Sequence, residues 1–156
     1  MTSNNPAPPA ATIHPSDLAG VRHWFQNLTT QVNSFDYAGA RTQVSPDFIA
    51  FGTFADLVVG MDEAEHEQWR NVWPTIKDFR IRLDEIHAFV SPDRLLAAAI
   101  TFFDSTGFQA DGTPFPRTGR VTVSFTRTDV GGPWLANHSH MSLAKGTPSL
   151  SHGAGT

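Results

Sequence analysis

The hydrophobic spacing of this chain changes period part-way along, and that change limits the folds open to it. Near the N-terminus five apolar residues follow the three- and four-residue spacing of one helix face: Leu18, Val21, Phe25, Leu28 and Val32. From Phe79 onward the period becomes two, as in strands with one buried face. Helices followed by a run of strands predict an α+β fold, with a strongly curved antiparallel sheet around the N-terminal helices.

The remaining elements follow from local signals. Ser16 and Asp17 provide N-cap chemistry for the first helix, and a short second helix is expected over 35–44. After a turn at 45–47, residues 48–54 are expected to form a strand. Asp62 and Glu65 have the spacing of a capping box for a third helix, which Pro74 ends or kinks. Later strands are expected over 79–90 with a bulge, over 95–103 with both faces covered, over 121–126 and over 134–143.

Composition predicts one domain with a tail at each end. Residues 1–16 and 146–156 are rich in Pro, Gly, Ser, Thr and Ala and are expected to be a disordered arm and a disordered tail around a domain at 17–145. The chain has 156 residues and a net charge of −4, so no nucleic-acid partner is expected. No apolar run is long enough for a membrane span, and no secretion signal is visible, so a cytoplasmic protein without a membrane partner is expected.

Several side chains are candidates for chemistry. His138 and His140 lie two apart on a strand, on one face with Trp134, and could take up a proton or, with a third ligand, a metal. Otherwise they line a pocket or an interface. Asp104 shares a face with Ile100 and Phe102, so it either looks into an apolar interior or ends the strand in water.

The end of the sequence resembles a known family. The segments Asp111-Gly112, Pro116-Arg117-Thr118 and 134–142 resemble SnoaL-like domains of the nuclear transport factor 2 superfamily. The last strand is similar to the W-x-x-x-H-x-H-x-S of the association domains of calcium/calmodulin-dependent kinases. The resemblance implies a cystatin-like cone with an internal pocket and a homodimer formed through the outer face of the sheet. Its members include ketosteroid isomerases and polyketide cyclases, and also binding and assembly modules.

The resemblance adds two candidates and a ligand pocket. Asp36 and Tyr37 open the second helix, where enzymes of the superfamily place polar pocket groups; a carboxylate there would act as a base and a phenol would stabilise an oxyanion. The alternative is that Asp36 favours the helix N-terminus. The aromatic residues expected to line the pocket, unless they are ordinary core, are Trp24, Trp73, Phe102, Phe125 and Trp134.

These patterns lead to one main hypothesis with alternatives. The main hypothesis is a protein that binds a small apolar or ring-shaped molecule and performs cofactor-free acid–base chemistry on it, as an isomerase, dehydratase or cyclase does. Its base would be Asp36 or Asp104, and Tyr37, His138 or His140 would donate to the oxyanion. The first alternative is a non-catalytic ligand-binding or dimerisation module. The second is a metal-binding protein that uses the two histidines.

Overall fold

The computed structural model describes residues 12–153 as three helices and one mixed sheet. The helices are α1 (Pro15–Ser34), α2 (Tyr37–Arg41) and α3, a continuous helical segment over 61–75, with a further 3₁₀ turn at Leu83–Glu85. The strands are β1 (Val44–Phe51), β2 (Val58–Val59), β3 (Lys77–Ile81), β4 (His87–Val90), β5 (Leu96–Phe108), β6 (Pro114–Pro116), β7 (Gly119–Thr126) and β8 (Leu135–Leu143). Most of the expected N-terminal arm, residues 1–11, lies outside the described residues.

Helix α1 buries the predicted apolar face but begins differently. Val21 and Phe25 are fully buried, and Leu28 and Val32 join the same core. The N-cap is His14, whose Nδ1 accepts a hydrogen bond from the Ser16 backbone N–H at 3.2 Å. Pro15 occupies the first turn, where a missing N–H leaves no hydrogen bond unmade. The predicted cap at Ser16 and Asp17 is therefore wrong.

Asp17 instead anchors α1 to the end of the sheet. Its carboxylate accepts hydrogen bonds from Arg94 Nε at 2.7 Å and from Arg127 Nη2 at 2.7 Å, and the residue is only 1% exposed. The Arg127 guanidinium also lies 3.9 Å from the centre of the Trp134 ring. The hydrogen bond from Arg94, assisted by Arg127 and opposed by burial, lowers the pKa of Asp17 from 3.8 to about 2.

The sheet confirms the predicted α+β class and its curvature. Its strand order is β2-β1-β8-β7-β5-β3, and β4 and β6 also pair with β5. The pairs are antiparallel except that β1 runs parallel to β8, a pairing that the alternation of apolar residues did not predict. The first long strand of the chain therefore lies beside the last.

Two sequence-based boundaries differ because irregular backbone interrupts the strands. The expected long strand over 79–90 is broken by the 3₁₀ turn Leu83–Glu85 into β3 and β4, and both pair with β5. Strand β1 begins at Val44, so the predicted turn over 45–47 lies inside it. The register between Val44 and Ile49 shifts there, and an irregular strand tolerates Pro46.

The sheet covers its core on one face only. Along β5, Ala97, Ala99 and Phe103 are buried against the helices, as are their neighbours on β7. Leu96, Ile100 and Phe102 point to the opposite, outer face and remain 49%, 43% and 40% exposed. The prediction that both faces of this strand are covered is wrong for the single chain.

A β-bulge sets the inward and outward positions of β8. Ser124 pairs with His138 and Phe125 pairs with Ala136, which leaves Asn137 as the extra residue. One extra residue exchanges the two faces of a strand, so Ala136 and Ser139 both face the core. His138 and His140 therefore face outward, opposite to Ala136, and not on one face with the buried Trp134 as the two-residue spacing predicted.

The structure describes part of the expected tail over 146–156, as far as Gly153. The Ser151 hydroxyl accepts a hydrogen bond from the Phe108 backbone N–H at 2.7 Å and donates one to the Thr75 carbonyl at 2.6 Å. The His152 N–H donates to the Phe108 carbonyl at 2.9 Å. The tail thus lies across the end of β5 as far as Gly153, and residues 154–156 lie outside the described part.

Candidate functional site

A mostly apolar cavity of about 60 Å³ lies between α1, α3 and the inner face of the sheet. Its apolar wall includes Leu28, Phe48, Val72, Trp73, Phe79 and Phe103. Its polar wall consists of Thr53, Gln68, Arg117 and Ser139, together with the backbone of Gly52. We call this space the main cavity. An apolar body with a few convergent polar groups is the usual form of a small-molecule site.

Arg117 provides the only charge on the wall of the main cavity within residues 12–153. The residue follows β6, and its backbone exchanges two hydrogen bonds with Ser105, at 2.8 and 2.9 Å. That pairing turns the side chain inward, where it is only 4% exposed. Its Nη2 donates to the Thr53 hydroxyl at 2.9 Å. The polar end of the cavity is therefore a buried guanidinium.

This guanidinium has no anionic partner among the described residues. The ion pairs formed within 12–153 use other arginines: Arg41, Arg70, Arg80, Arg82, Arg94 and Arg127. Burial alone lowers the pKa of Arg117 from 12.5 to about 10. The side chain therefore stays charged at neutral pH inside an apolar enclosure. This is the environment in which an anionic group of a ligand is bound most strongly.

Gln68 and Thr53 hold the arginine in place. Gln68 lies in the π-helical part of α3, Ala64–Trp69, and its Oε1 accepts hydrogen bonds from the backbone N–H groups of Phe54 and Ala55 at 3.2 and 2.7 Å. Its Nε2 donates to the same Thr53 hydroxyl that Arg117 contacts, at 3.2 Å. A Cβ on Gly52 would overlap the Gln68 amide, so a larger residue there would displace the Gln68 side chain. Single π-helical turns within α-helices are frequent at functional sites.

Two smaller cavities adjoin the main one. A cavity of about 40 Å³ shares Leu28, Phe48, Ser139 and other wall residues with it, and extends towards Trp24 and Gln43. A second, of about 50 Å³, shares Thr53, Val72 and Arg117 with the main cavity, and the C-terminal segment forms part of its wall. The interior is thus a row of small spaces with Arg117 between two of them.

Asp36 and Tyr37 lie beside the site but not on the cavity wall. Asp36 is the N-cap of α2, and its side chain accepts a hydrogen bond from the Gly39 N–H at 2.9 Å. Tyr37 stacks on Trp73 with ring centroids 5.1 Å apart, while the Arg70 guanidinium covers it at 4.2 Å. Trp73 therefore separates Tyr37 from the main cavity.

Asp104 lies on the outer face of the sheet. Its carboxylate accepts hydrogen bonds from Arg82 at 2.8 and 2.9 Å and from the Thr118 hydroxyl at 3.0 Å, and Arg80 lies 3.2 Å away. The Arg82 bonds are the main cause that lowers the pKa of Asp104 to about 2, while partial burial opposes them. Neither alternative for Asp104 holds, because the inward positions of β5 are the odd-numbered ones and the strand continues past Asp104 to Phe108.

The two histidines of β8 also lie on the outer face. His138 Nδ1 lies 2.8 Å from the Ile49 carbonyl, and Phe51 packs edge-on against His138 and His140 at ring distances of 5.9 and 5.2 Å. Within residues 12–153 the structure brings together no group of three or more His, Cys, Asp or Glu side chains that could hold a metal ion. The metal alternative therefore gains no third ligand from the described part of this chain.

The predicted aromatic residues divide between the cavities and other places. Trp73 lines the main cavity, and Trp24 lines the adjoining one while its Nε1 donates to the Gln43 carbonyl at 2.9 Å. Phe125 packs in the core with Trp24 and Trp134. Phe102 lies on the outer face under the Arg82 guanidinium. Of the five, only the two tryptophans on the helices line the row of cavities.

Sequence reasoning missed the polar wall residues Arg117, Thr53, Gln68 and Ser139. A signal for Arg117 was present, because the inward positions 119, 121, 123 and 125 of β7 continue back to 117 by the same alternation. Ser139 could not be found in this way, because the bulge at Asn137 reverses the faces of β8. Gln68 depends on the π-helical turn, which no periodicity indicated.

The comparisons with known proteins agree with this architecture. The family model described as a SnoaL-like domain matches residues 21–145. The chain belongs to the SnoaL-like family. No curated protein sequence matches it. Solved structures with the same fold share less than 25% of their sequence with this chain, so they show its fold alone.

Three solved structures illustrate the range of this fold. A ketosteroid isomerase-like protein from Erwinia carotovora is 19% identical over 86% of this SnoaL-like chain and all of its own, with a TM-score of 0.70. A nuclear transport factor 2-like superfamily protein from Salmonella enterica is 17% identical over 85% and 94% of the two chains, with a TM-score of 0.69. The association domain of C. elegans CaMKII is 11% identical over 80% and 93%, with a TM-score of 0.60.

Within residues 12–153, no helix of this SnoaL-like chain is both long and apolar enough to cross a bilayer.

Proposed function

We propose that this SnoaL-like chain binds a small, mostly apolar molecule that carries one anionic group, such as a short carboxylate, in the main cavity. The observation that carries the proposal is Arg117, which is buried, charged and without a carboxylate partner among the described residues. A buried charge without a partner is unfavourable, and an anionic ligand supplies the missing partner. The ligand's anion thus pairs with the guanidinium.

The rest of the wall fits the body of such a ligand. Trp73, Phe79 and Phe103 provide flat apolar surface, and Ser139 offers one hydroxyl between the main cavity and the adjoining one. Thr53 and Gln68 hold the guanidinium in a fixed orientation, so little conformational freedom is lost when an anion binds. A volume of about 60 Å³ favours a molecule of only a few non-hydrogen atoms.

The geometry favours the non-catalytic alternative over acid–base catalysis. Asp36 caps a helix, and Asp104, His138 and His140 lie on the outer face of the sheet. Tyr37 reaches the far side of Trp73 rather than the cavity. Within the described residues, the main cavity is lined by no carboxylate, imidazole or phenol that would transfer a proton to a bound molecule. Binding is therefore the function proposed.

A pair of matched fluorinated probes tests this proposal. Trifluoropropionate carries a carboxylate on a small apolar body, and trifluoropropanol is its neutral counterpart. Fluorine NMR measures the affinity of each protein for the two probes. We expect Arg117→Met to weaken trifluoropropionate binding roughly 10- to 100-fold, because a hydrogen-bonded charge pair is lost. We expect the alcohol to bind weakly to both proteins.

Arg120→Met is the matched control, because Arg120 lies three residues away on the exposed face of β7. This variant should bind trifluoropropionate as the wild type does. Equal binding of acid and alcohol to the wild type, or equal affinity of Arg117→Met and the wild type for the acid, would contradict an anion site at Arg117.

A second candidate function is self-association through the outer face of the sheet. Exposed apolar side chains on this face form two groups, one on β1 and β2 and one on β4 and β5, with the polar outer rows of β8 and β7 between them: Ile49, Phe51 and Val59, and Phe89, Ile100 and Phe102. Each is at least 40% exposed in the single chain. Exposed apolar groups on a sheet face are typical of interaction sites. A second copy of the chain would cover these side chains. It would also cover the outer side of β5, a strand that has apolar residues on both of its faces.

Ile100→Arg tests the proposed homodimer. Ile100 lies on the longest strand with His140 and Thr122 in the neighbouring positions across the sheet, so a charge there should weaken dimerisation at least about 30-fold. Sedimentation equilibrium over a concentration series measures the effect. Leu57→Arg, at an exposed position in the loop between β1 and β2, should leave the dimer intact. A wild type that stays monomeric throughout would overturn this candidate.

A further inference from the structure

We infer that the C-terminal segment over 147–153 is a gate on the Arg117 end of the cavity, held closed mainly by Ser151. The inference rests on the proposed function, because it concerns how an anionic ligand reaches Arg117. It follows from the position of the segment, its hydrogen bonds and its composition.

The segment forms one wall of a space that already contains the guanidinium. Ser149, Leu150 and Ser151 line the cavity of about 50 Å³ that Arg117, Thr53 and Val72 also line. The latter three residues line the main cavity as well. Displacing the segment would therefore connect solvent directly to the charged end of the ligand site.

Three hydrogen bonds hold this wall in place. The Ser151 hydroxyl joins the Phe108 N–H, at the end of β5, to the Thr75 carbonyl, at the end of α3, with distances of 2.7 and 2.6 Å. The His152 N–H donates to the Phe108 carbonyl at 2.9 Å. Ser151 thus links the sheet, the helix and the segment at a single side chain.

Apart from these bonds, the segment is weakly attached. Its one large apolar side chain, Leu150, is 53% exposed, so burial contributes little to holding it. The chain enters the segment through Gly146, whose φ of 86° is favourable for glycine. Segments with few buried apolar contacts open at a small fraction of the global unfolding free energy. The opposite wall of the cavity includes Val72 of α3 and Arg117, which are both buried and so are held more firmly than the segment.

Chemical modification of Arg117 tests the gate without requiring any ligand. Phenylglyoxal reacts with accessible guanidinium groups, and peptide mapping by mass spectrometry measures the rate at each arginine of the full-length protein. In the double variant Ser151→Ala/His152→Pro, which removes the three hydrogen bonds, we expect Arg117 to react roughly tenfold faster.

The chain offers matched controls for this experiment. Ser149→Ala changes a serine of the same segment for which the structure shows no side-chain hydrogen bond, and should leave the rate at Arg117 unchanged. Within each protein, buried Arg127 should stay protected and exposed Arg120 should react at a constant rate, which excludes general unfolding. An unchanged rate at Arg117 in the double variant, or an equal increase at Arg127, would overturn the gate.

Fluorine NMR of trifluoropropionate separates the gate from the proposed function. With both correct, the double variant exchanges the bound acid faster than the wild type. Binding with unchanged exchange overturns the gate and leaves the ligand site standing. Faster modification of Arg117 with no binding of the acid to any of the proteins supports the gate and overturns the proposed carboxylate ligand.

Discussion

Asp17→Asn is expected to lower the free energy of unfolding by about 3–5 kcal/mol, because it removes one partner of a buried charge pair and leaves the other. Arg127 is 9% exposed and would keep its charge without the carboxylate that now accepts its Nη2 hydrogen bond. Arg94 would lose the same partner. The N-terminal turn of α1 would then be held to the sheet mainly by apolar contacts. Urea denaturation followed by circular dichroism measures the change.

Two further variants show whether the loss comes from the unpaired charge. The double variant Asp17→Asn/Arg127→Met should recover part of the stability, because neither charge then stays buried alone. Asp62→Asn breaks the ion pair with Arg41 at a carboxylate that is 82% exposed, and should cost less than about 1 kcal/mol. A loss below that limit in Asp17→Asn would contradict the anchoring role of Asp17.

Because of the same carboxylate, we expect the free energy of unfolding to fall at acidic pH. The pKa of Asp17 is lowered from 3.8 to about 2, so its contribution is fully present above about pH 4 and disappears as the pH falls towards 2. Asp104, with its pKa also lowered to about 2, titrates in the same window. The difference in stability between wild type and Asp17→Asn isolates the first group. That difference should shrink steadily between pH 4 and pH 2 and stay constant from pH 5 to 7.

Arg117→Met is expected to stabilise the ligand-free protein by about 2 kcal/mol. Burial lowers the pKa of Arg117 from 12.5 to about 10, and each pKa unit corresponds to about 1.4 kcal/mol of unfavourable charge burial in the fold. The lost hydrogen bond to Thr53 offsets about 1 kcal/mol of that gain. Methionine has a similar length and packs well in irregular apolar space.

Thermal and urea unfolding of the ligand-free proteins measure this gain. Arg120→Met, at an exposed position of β7, should lie within about 0.5 kcal/mol of the wild type. A variant that gains stability while it loses anion binding is the result expected of a residue retained for function. If Arg117→Met were clearly less stable than the wild type, the guanidinium would have a structural role instead.

The sequence predicted the layers of this fold better than its site, for a physical reason. The buried positions of α1 follow the helical period and those of β7 follow the two-residue period of a strand. Each period alone predicts which side chains are buried, here Val21, Phe25, Val121 and Val123. The wall of the main cavity, in contrast, depends on local irregularities of the backbone, each of which involves only one or a few residues. The bulge at Asn137 determines whether His138 or Ser139 faces inward. Because residues 137–140 are all polar, the sequence does not indicate which of the two it is.

The polar end of the site was hidden for a related reason. Arg117 lies between two strands, so only the alternation of β7, extended backwards past the start of that strand, indicates its direction; the structure turns it inward through its pairing with Ser105. Gln68 is brought to the same place by a helical turn of a different pitch. Both residues have polar side chains, which sequence patterns assign to solvent by default. Their burial depends on partners far away in the chain.

The parallel pairing of β1 with β8 has a consequence for how the protein folds. Ile49 and His138 are neighbours across this pair although 89 residues separate them. Closing so long a loop is entropically costly, so we expect this contact to form late and to slow folding. Ala50 and Ser139, which line the main cavity from these two strands, meet only then. During synthesis the main cavity would therefore be completed only after β8 has left the ribosome.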